Sequence, residues 1–128
     1  MYLDTDVILA ELKVDDWLAS AVDIESIAEP KTSIATSIEL QYVMEDTWER
    51  ARLANVHQEL GEREIQLVPL TVDAMDAATD FRTTYEAVNV FDAVHLGTAR
   101  SLDEPIVSTD TLFPELADIT HVDPRDLD

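Results

Sequence analysis

Short apolar runs alternate along this chain with longer stretches in which apolar residues recur every three or four positions. That alternation restricts the fold more than any other feature. The runs fall at Tyr2–Leu3, Ser33–Ala35, Ile65–Pro69, Ile106–Ser108 and Ile119–Val122, each the length of a short strand. Between them, Leu40, Val43, Met44, Trp48 and Ala51 form a helical stripe beginning at Thr36, and Thr36 with Glu39 has the spacing of a capping box. A second stripe runs from a cap at Thr71 through Ala74, Met75, Ala78, Phe81 and Tyr85, and a third through Phe91, Val94, Thr98 and Leu102. Another helix is predicted from Asp15 to Ile27, with Trp17, Leu18, Ala21 and Val22 inward and Pro30 beyond its end. Strands alternating with helices predict an α/β fold with a parallel sheet of four to five strands covered on both faces.

A chain of 128 residues suits one hydrophobic core and can bury roughly two-thirds of the surface it exposes when unfolded. Its only glycines are Gly61 and Gly97, and no Ser/Gly-rich, repeated or low-complexity stretch separates one part from another. Residues 1–128 are therefore expected to form a single domain. The absence of cysteine excludes disulfides and thiolate metal sites and fits a reducing interior. The sequence shows no signal-peptide pattern and no apolar run of membrane-spanning length, so the expected location is the cytoplasm, with no membrane partner.

Charge narrows the setting. Twenty-eight Asp and Glu stand against 8 Lys and Arg, a formal net charge of -20. At low ionic strength such a molecule repels nucleic acid and strains its own compact state. Near 1 M salt the Debye length shrinks to about 3 Å and both effects fade. The acids are dispersed among 46% hydrophobic residues, which reads as a globular domain adapted to a salt-rich cytoplasm, as in a halophile, and not as a disordered acidic tail.

Four acids do not fit that dispersed pattern: Asp4 in YLDTDVIL, Glu39 in TSIELQYV, Asp92 in NVFDAVHLGTAR and Asp110 in IVSTDTLF. In open parallel sheets, ligands bind beyond the carboxyl ends of the strands. Asp4 follows the first predicted strand, Glu39 comes just after the second and Asp110 follows the fourth. Asp92 opens a helix that starts at the same rim if the crossovers are right-handed. Each acid alone has an ordinary reading. Asp4 fits an Asx-turn, Glu39 the capping box, Asp92 a favourable helix dipole, and Asp110 the cap of a short helix toward Glu115. Together they converge on one edge. Such a cluster repels itself unless a cation sits within it, which points to a hard ion such as Mg²⁺ or Mn²⁺ and to metal-assisted phosphodiester hydrolysis by water.

The segments YLDTDVIL, TSIELQYV, FDAVHLGTAR and IVSTDTLF, in that order and over nearly the whole chain, closely resemble the PIN-domain nucleases. In length and layout they resemble the VapC-type ribonuclease toxins. The resemblance implies a three-layer α/β/α PIN-like fold and an endoribonuclease dependent on Mg²⁺ or Mn²⁺. Its catalytic and metal-binding acids would match Asp4, Glu39, Asp92 and Asp110. It also implies a VapB-type antitoxin partner, a homodimer, and Thr5, Asp6, Ser108 and Thr109 as neighbours of the metal. Asp6 stands where many members carry Asn or Ser, and it is held with Ser108 and Thr109 as a supporting residue. His95, three positions after Asp92, reads as a packed or hydrogen-bonded histidine and is left outside the catalytic set.

Among Arg50, Arg52, Arg63, Arg82 and Arg100, each of which also reads as half of a surface ion pair, Arg100 is the preferred RNA contact because it lies two turns beyond Asp92. Trp17, Trp48, Tyr42 and Tyr85 serve either the core or partner interfaces. Two other readings share the same residues. YLDTDVIL fits the opening of haloacid-dehalogenase-like phosphatases, with Asp4 as nucleophile and Asp6 as acid/base, although Lys13 and Lys31 are the only lysines. A non-catalytic PIN-like binding module is the third.

Overall fold

The computed structural model of the protein describes residues 1–12 and 23–127. Five strands, β1 (Tyr2–Leu3), β2 (Lys31–Ser33), β3 (Gln66–Val68), β4 (Ile106–Val107) and β5 (His121–Val122), pair in parallel in the order β3-β2-β1-β4-β5. The described helices are α1 (Thr5–Leu12), α2 (Ile34–Val43), α3 (Thr47–Leu53), α4 (Val56–Glu62), α5 (Val72–Thr84) and α6 (Val90–Ser101). The strands are minimal, yet their alternation separates two cores. Tyr2 and Ile106 point into a cluster with Ala78 and Phe81 of α5 and Val94, Leu96 and Ala99 of α6. Leu3 and Val107 point the other way, toward Val7 and Ile8 of α1 and Val56 and Leu60 of α4. The result is the three-layer α/β/α arrangement expected from the alternation.

β1 is central, and strand order reverses around it. The chain moves from β1 to β2 and β3 on one side, then crosses back to place β4 and β5 on the other. β1 and β4 therefore flank the switch point at which open α/β sheets bind ligands.

Boundaries moved where side chains compete for the backbone. The run Ser33–Ala35 is not a strand: β2 ends at Ser33, whose Oγ accepts the Ala35 N–H (3.2 Å) and caps α2. The Thr36–Glu39 capping box is consequently not formed. Thr36 lies buried in the first turn, with its hydroxyl 2.6 Å from that of Thr32, and Glu39 sits within α2 instead of just after the strand. The stripe from Thr36 to Ala51 is two helices, because Asp46 accepts the Glu49 N–H (2.8 Å) and starts α3. Leu40 and Met44 are buried, but Val43, Trp48 and Ala51 face solvent.

In α5, capped by Thr71 as predicted, Ala77 is buried in place of Met75. Helix α6 has no single stripe. Every residue from Ala93 to Ala99 is buried, and Leu102 is exposed at its end. The cause is the close approach of α5: a Cβ on Gly97 would come within 2.5 Å of the Ala74 carbonyl oxygen and of the Ala78 nitrogen. Residues 13–22, which carry Trp17, Leu18, Ala21 and Val22 of the helix predicted over Asp15–Ile27, lie outside the described residues. Ile24–Ser26 is a 3₁₀ turn capped by Asp23.

Candidate metal centre

Asp4 is the first residue past β1. Its N–H donates to the Val107 carbonyl (3.0 Å), and its own carbonyl accepts from Val7 and Ile8, so it ends the strand and opens α1 together. Its carboxylate is held on both oxygens: Oδ1 accepts the Thr5 N–H (2.8 Å) and Oδ2 the Ser108 hydroxyl (2.7 Å). The Ser108 oxygen in turn accepts the Asp110 N–H (3.0 Å). One serine past β4 thus fixes the carboxylate after β1 and the backbone of the next acid. Asp110 Oδ1 accepts the Leu112 N–H (2.9 Å) in a local turn, but the short 3₁₀ helix Phe113–Glu115 begins after Leu112 with no side-chain cap, so Asp110 does not cap it.

Asp6 has a different neighbourhood. Oδ1 accepts the Val7 N–H (2.8 Å), while Oδ2 takes the Thr109 N–H (2.9 Å) and the Thr109 hydroxyl. Oδ2 ties α1 to Thr109 after β4 while Oδ1 bonds within α1, so both oxygens are engaged, an arrangement unlike a free acid/base.

Glu39 reaches the rim from α2. Its Oε1 accepts from Thr5 Oγ1 (2.9 Å) and lies 2.6 Å from His95 Nε2, which is also 3.8 Å from Asp4 Oδ1. The other ring nitrogen of His95 is 2.6 Å from the Tyr2 hydroxyl, itself 2.8 Å from Ser33 Oγ. Asp92 occupies the first turn of α6, its N–H capped by Asn89 Oδ1 (2.9 Å).

Electrostatics show how closely these groups are gathered. Burial pushes the Asp4 carboxyl up to about 6, and the charge of Asp6 adds to the rise, against the opposing pull of His95 and the hydrogen bonds from Ser108 and Thr5. Asp92 is raised by burial and then by the charges of Asp110 and Glu39. Burial also acts to raise Glu39, but the hydrogen bond and charge of His95, with help from Thr5, bring it below the usual range. For His95, burial opposes the charged form, yet the bond to Glu39 and the charges of Asp4, Glu39 and Asp92 outweigh it and raise the ring. Asp92 therefore sits within the fields of Asp110 and Glu39, and His95 within those of Asp4, Glu39 and Asp92.

The donor set fits a hard divalent cation. The acids supply carboxylate oxygens, and two of the carboxyls resist ionisation in a way that a positive charge would relieve. Among the described residues, one trio of donor atoms lies within 4.8 Å of one another, from Asp4, Glu39 and His95. The imidazole belongs to that trio because it hydrogen-bonds Glu39.

Arg100 is not at this rim. Its guanidinium pairs with Asp80 (2.7 Å) and lies over the Phe81 ring (5.1 Å). It lines a hollow of about 410 Å³ with Glu104, Pro105 and Thr120, at the amino ends of β4 and β5. The two turns that separate it from Asp92 carry it to the opposite edge of the sheet. Arg52 is likewise paired, with Glu59 (2.8 Å).

The sequence pattern left Tyr2 and Ser33 out and set His95 aside. His95 had one usable signal, its position one helical turn after Asp92. Tyr2 and Ser33 had none, because a strand two or three residues long does not reveal which face a hydroxyl meets.

A family model described as the PIN domain matches residues 1–119. No curated protein sequence matches the chain. Solved structures share its fold. VapBC2 from Rickettsia felis, bound to a DNA fragment from its promoter, aligns over 94% of this chain and 96% of that one, at 14% identity and a TM-score of 0.74. FitAcB from Neisseria gonorrhoeae aligns over 98% and 99%, at 19% identity and a TM-score of 0.71. A toxin–antitoxin complex from Klebsiella pneumoniae aligns over 96% of each chain, at 20% identity and a TM-score of 0.73.

Proposed function

Because the chain belongs to the PIN domain family, we propose that it is a Mg²⁺- or Mn²⁺-dependent endoribonuclease and the toxin of a toxin–antitoxin pair. The observation that supports this reading is the gathering of Asp4, Glu39 and His95 donor atoms within 4.8 Å of one another beyond β1, with Asp92 raised by burial and by the charges of Asp110 and Glu39. Asp4, Asp92 and Asp110 would hold the cation, and Glu39 would complete the site. The ion supplies positive charge against the scissile phosphate and makes a water more acidic. The chain's own part is to aim the carboxylates: Ser108 orients Asp4, and Thr5 orients Glu39.

RNA as substrate follows from the family. With Arg100 on the far edge and a net charge of -20, backbone attraction is weak, so binding would lean on the positive charge that a cation held by the acids would supply. The antitoxin follows from the toxin–antitoxin complexes among the structural neighbours. Tyr42 and Trp48, 66% and 71% exposed, supply apolar surface for that partner or for a second copy. Among the described residues no helix is long and apolar enough to cross a membrane, and we read residues 1–128 as one domain working in the cytoplasm.

The test is an RNase assay in molar KCl with Mn²⁺ or Mg²⁺, run on wild type, Asp4→Asn and Asp92→Asn, with and without chelator. Cleavage should require the metal and vanish in both variants. Full activity in either variant, or in chelator, rejects the site.

A further inference from the structure

The buried hydroxyl and imidazole groups behind Glu39 form a continuous path that the reaction does not use directly. It runs from Ser33 Oγ to the Tyr2 hydroxyl (2.8 Å), from there to His95 Nδ1 (2.6 Å), and from His95 Nε2 to Glu39 Oε1 (2.6 Å). Tyr2, Ser33 and His95 are each at most 1% exposed. The path joins β1, the cap of α2, and α6.

We propose that His95 is a positioning residue, held by Tyr2 and Ser33, which points the Glu39 carboxylate into the metal site. The proposal rests on the reading of Glu39 as part of that site. The reasoning is a count of donors and acceptors. An ionised carboxylate only accepts, so the proton between His95 and Glu39 belongs to Nε2. At the other nitrogen the partner is a hydroxyl, which can donate to a neutral ring or accept from a charged one. Ser33 Oγ can reverse its own role to match. The ring therefore keeps Nε2–H on Glu39 in either charge state.

Thr5 Oγ1 donates to the same Oε1, so two donors converge on one oxygen. Among the described residues nothing hydrogen-bonds Oε2. Glu39 stands on α2 while the other acids follow β1 and β4 or stand on α6, and a glutamate has more free torsions than an aspartate. Without such a brace it would sample several rotamers, each with a different direction of charge.

The experiment uses protein stripped of metal with chelator and Mn²⁺ as the probe. Calorimetric Mn²⁺ titration of wild type, His95→Leu, His95→Gln and Tyr2→Phe is paired with nitrogen-15 NMR of the imidazole in the metal-free wild type. In the neutral ring the proton should reside on Nε2. His95→Leu should weaken Mn²⁺ about 10- to 100-fold, the range typical of losing a residue that orients a metal ligand. His95→Gln, which can still present an N–H to Glu39, should recover most of that affinity, and Tyr2→Phe should show a smaller loss than His95→Leu.

A proton on Nδ1, or a folded His95→Gln no better than His95→Leu, overturns the proposal. Should His95→Leu fail to fold, the wild-type tautomer and the affinities of His95→Gln and Tyr2→Phe decide, and wild-type affinity in Tyr2→Phe counts against the brace. A wild type that shows this pattern of Mn²⁺ binding yet cuts no RNA supports the positioning and rejects the nuclease.

Discussion

Ser108 and Asp4, 104 residues apart in sequence, meet through a 2.7 Å hydrogen bond between the Ser108 hydroxyl and Asp4 Oδ2. The bond favours the ionised carboxylate, and it opposes the burial that lifts Asp4 to about 6. Ser108→Ala should raise the Asp4 carboxyl further and cost about 1–3 kcal/mol, since a buried acceptor loses its partner and the Asp110 N–H loses its own. Urea denaturation and a carboxyl NMR titration measure both, and an unchanged titration would contradict the role given to Ser108.

Gly97→Ala should be among the most damaging conservative changes. The new methyl would meet backbone atoms of Ala74 and Ala78 at 2.5 Å, and backbone cannot rotate aside. The helices must part, at a cost of about 1–3 kcal/mol or more. Because α6 also carries Asp92 and His95, Mn²⁺ affinity should fall with stability. A variant of wild-type melting temperature would mean that the α5/α6 contact is looser than described.

Glu64→Gly should stabilise the protein. Glu64 follows the end of α4 with φ 57°, where its N–H bonds the Gly61 carbonyl and the next N–H bonds Leu60. That is the left-handed position in which glycine is usual and in which a Cβ costs about 1–2 kcal/mol. Part of the gain is lost to glycine's freedom when unfolded, so about 0.5–1 kcal/mol should remain. Chemical denaturation reads it directly, and a loss of stability would count against the left-handed end.

Acidification from pH 7 toward 5 should stabilise the metal-free protein. Asp4 has a folded value of about 6 against 3.8 for the free group, so in this window the folded chain binds a proton that the unfolded chain does not. Stability then rises as pH falls, by at most about 1.4 kcal/mol per unit for one proton. His95, also raised, adds in the same direction. The gain should end below pH 4.5, where Glu39, lowered in the folded state, starts to lose its contribution. Excess Mn²⁺ should reverse the slope, because the cation needs ionised carboxylates. Urea midpoints in chelator and in Mn²⁺ test the pair of trends; parallel slopes would speak against a carboxylate metal site.

Salt should stabilise the fold. Raising KCl from 0.1 to 1 M shortens the Debye length from about 10 to about 3 Å and mutes repulsion across a surface of net charge -20. A gain of about 1 kcal/mol would lift the melting temperature by about 4 °C at this chain length. A flat profile in calorimetry would remove the case for salt adaptation.

The layout was legible because it depends on alternation, which survives even in strands two residues long, and on the order of four acidic segments. Helix ends were harder to read. α4 and α6 close on Glu64 and Asp103 in the left-handed region, so the glycine that normally marks such an end is missing. Ser33 ended β2 and capped α2 at once, which hid the start of the helix behind residues that looked strand-like. Spacing along a helix gives distance without direction: two turns from Asp92 set Arg100 against Asp80 and Phe81. His95 was read correctly as hydrogen-bonded, but its partner, Glu39, is 56 residues away, and only the packing of α2 against α6 brings the two together.

The position of β1 at the centre of the sheet, paired with a strand that comes more than a hundred residues later, has a consequence for synthesis. Asp4 emerges from the ribosome 104 residues before Ser108, which with Asp110 completes its surroundings. A partly made chain, or one broken before β4, carries the first acids without the last and cannot assemble the rim. The topology delays assembly of the rim until β4 has been made and has paired with β1.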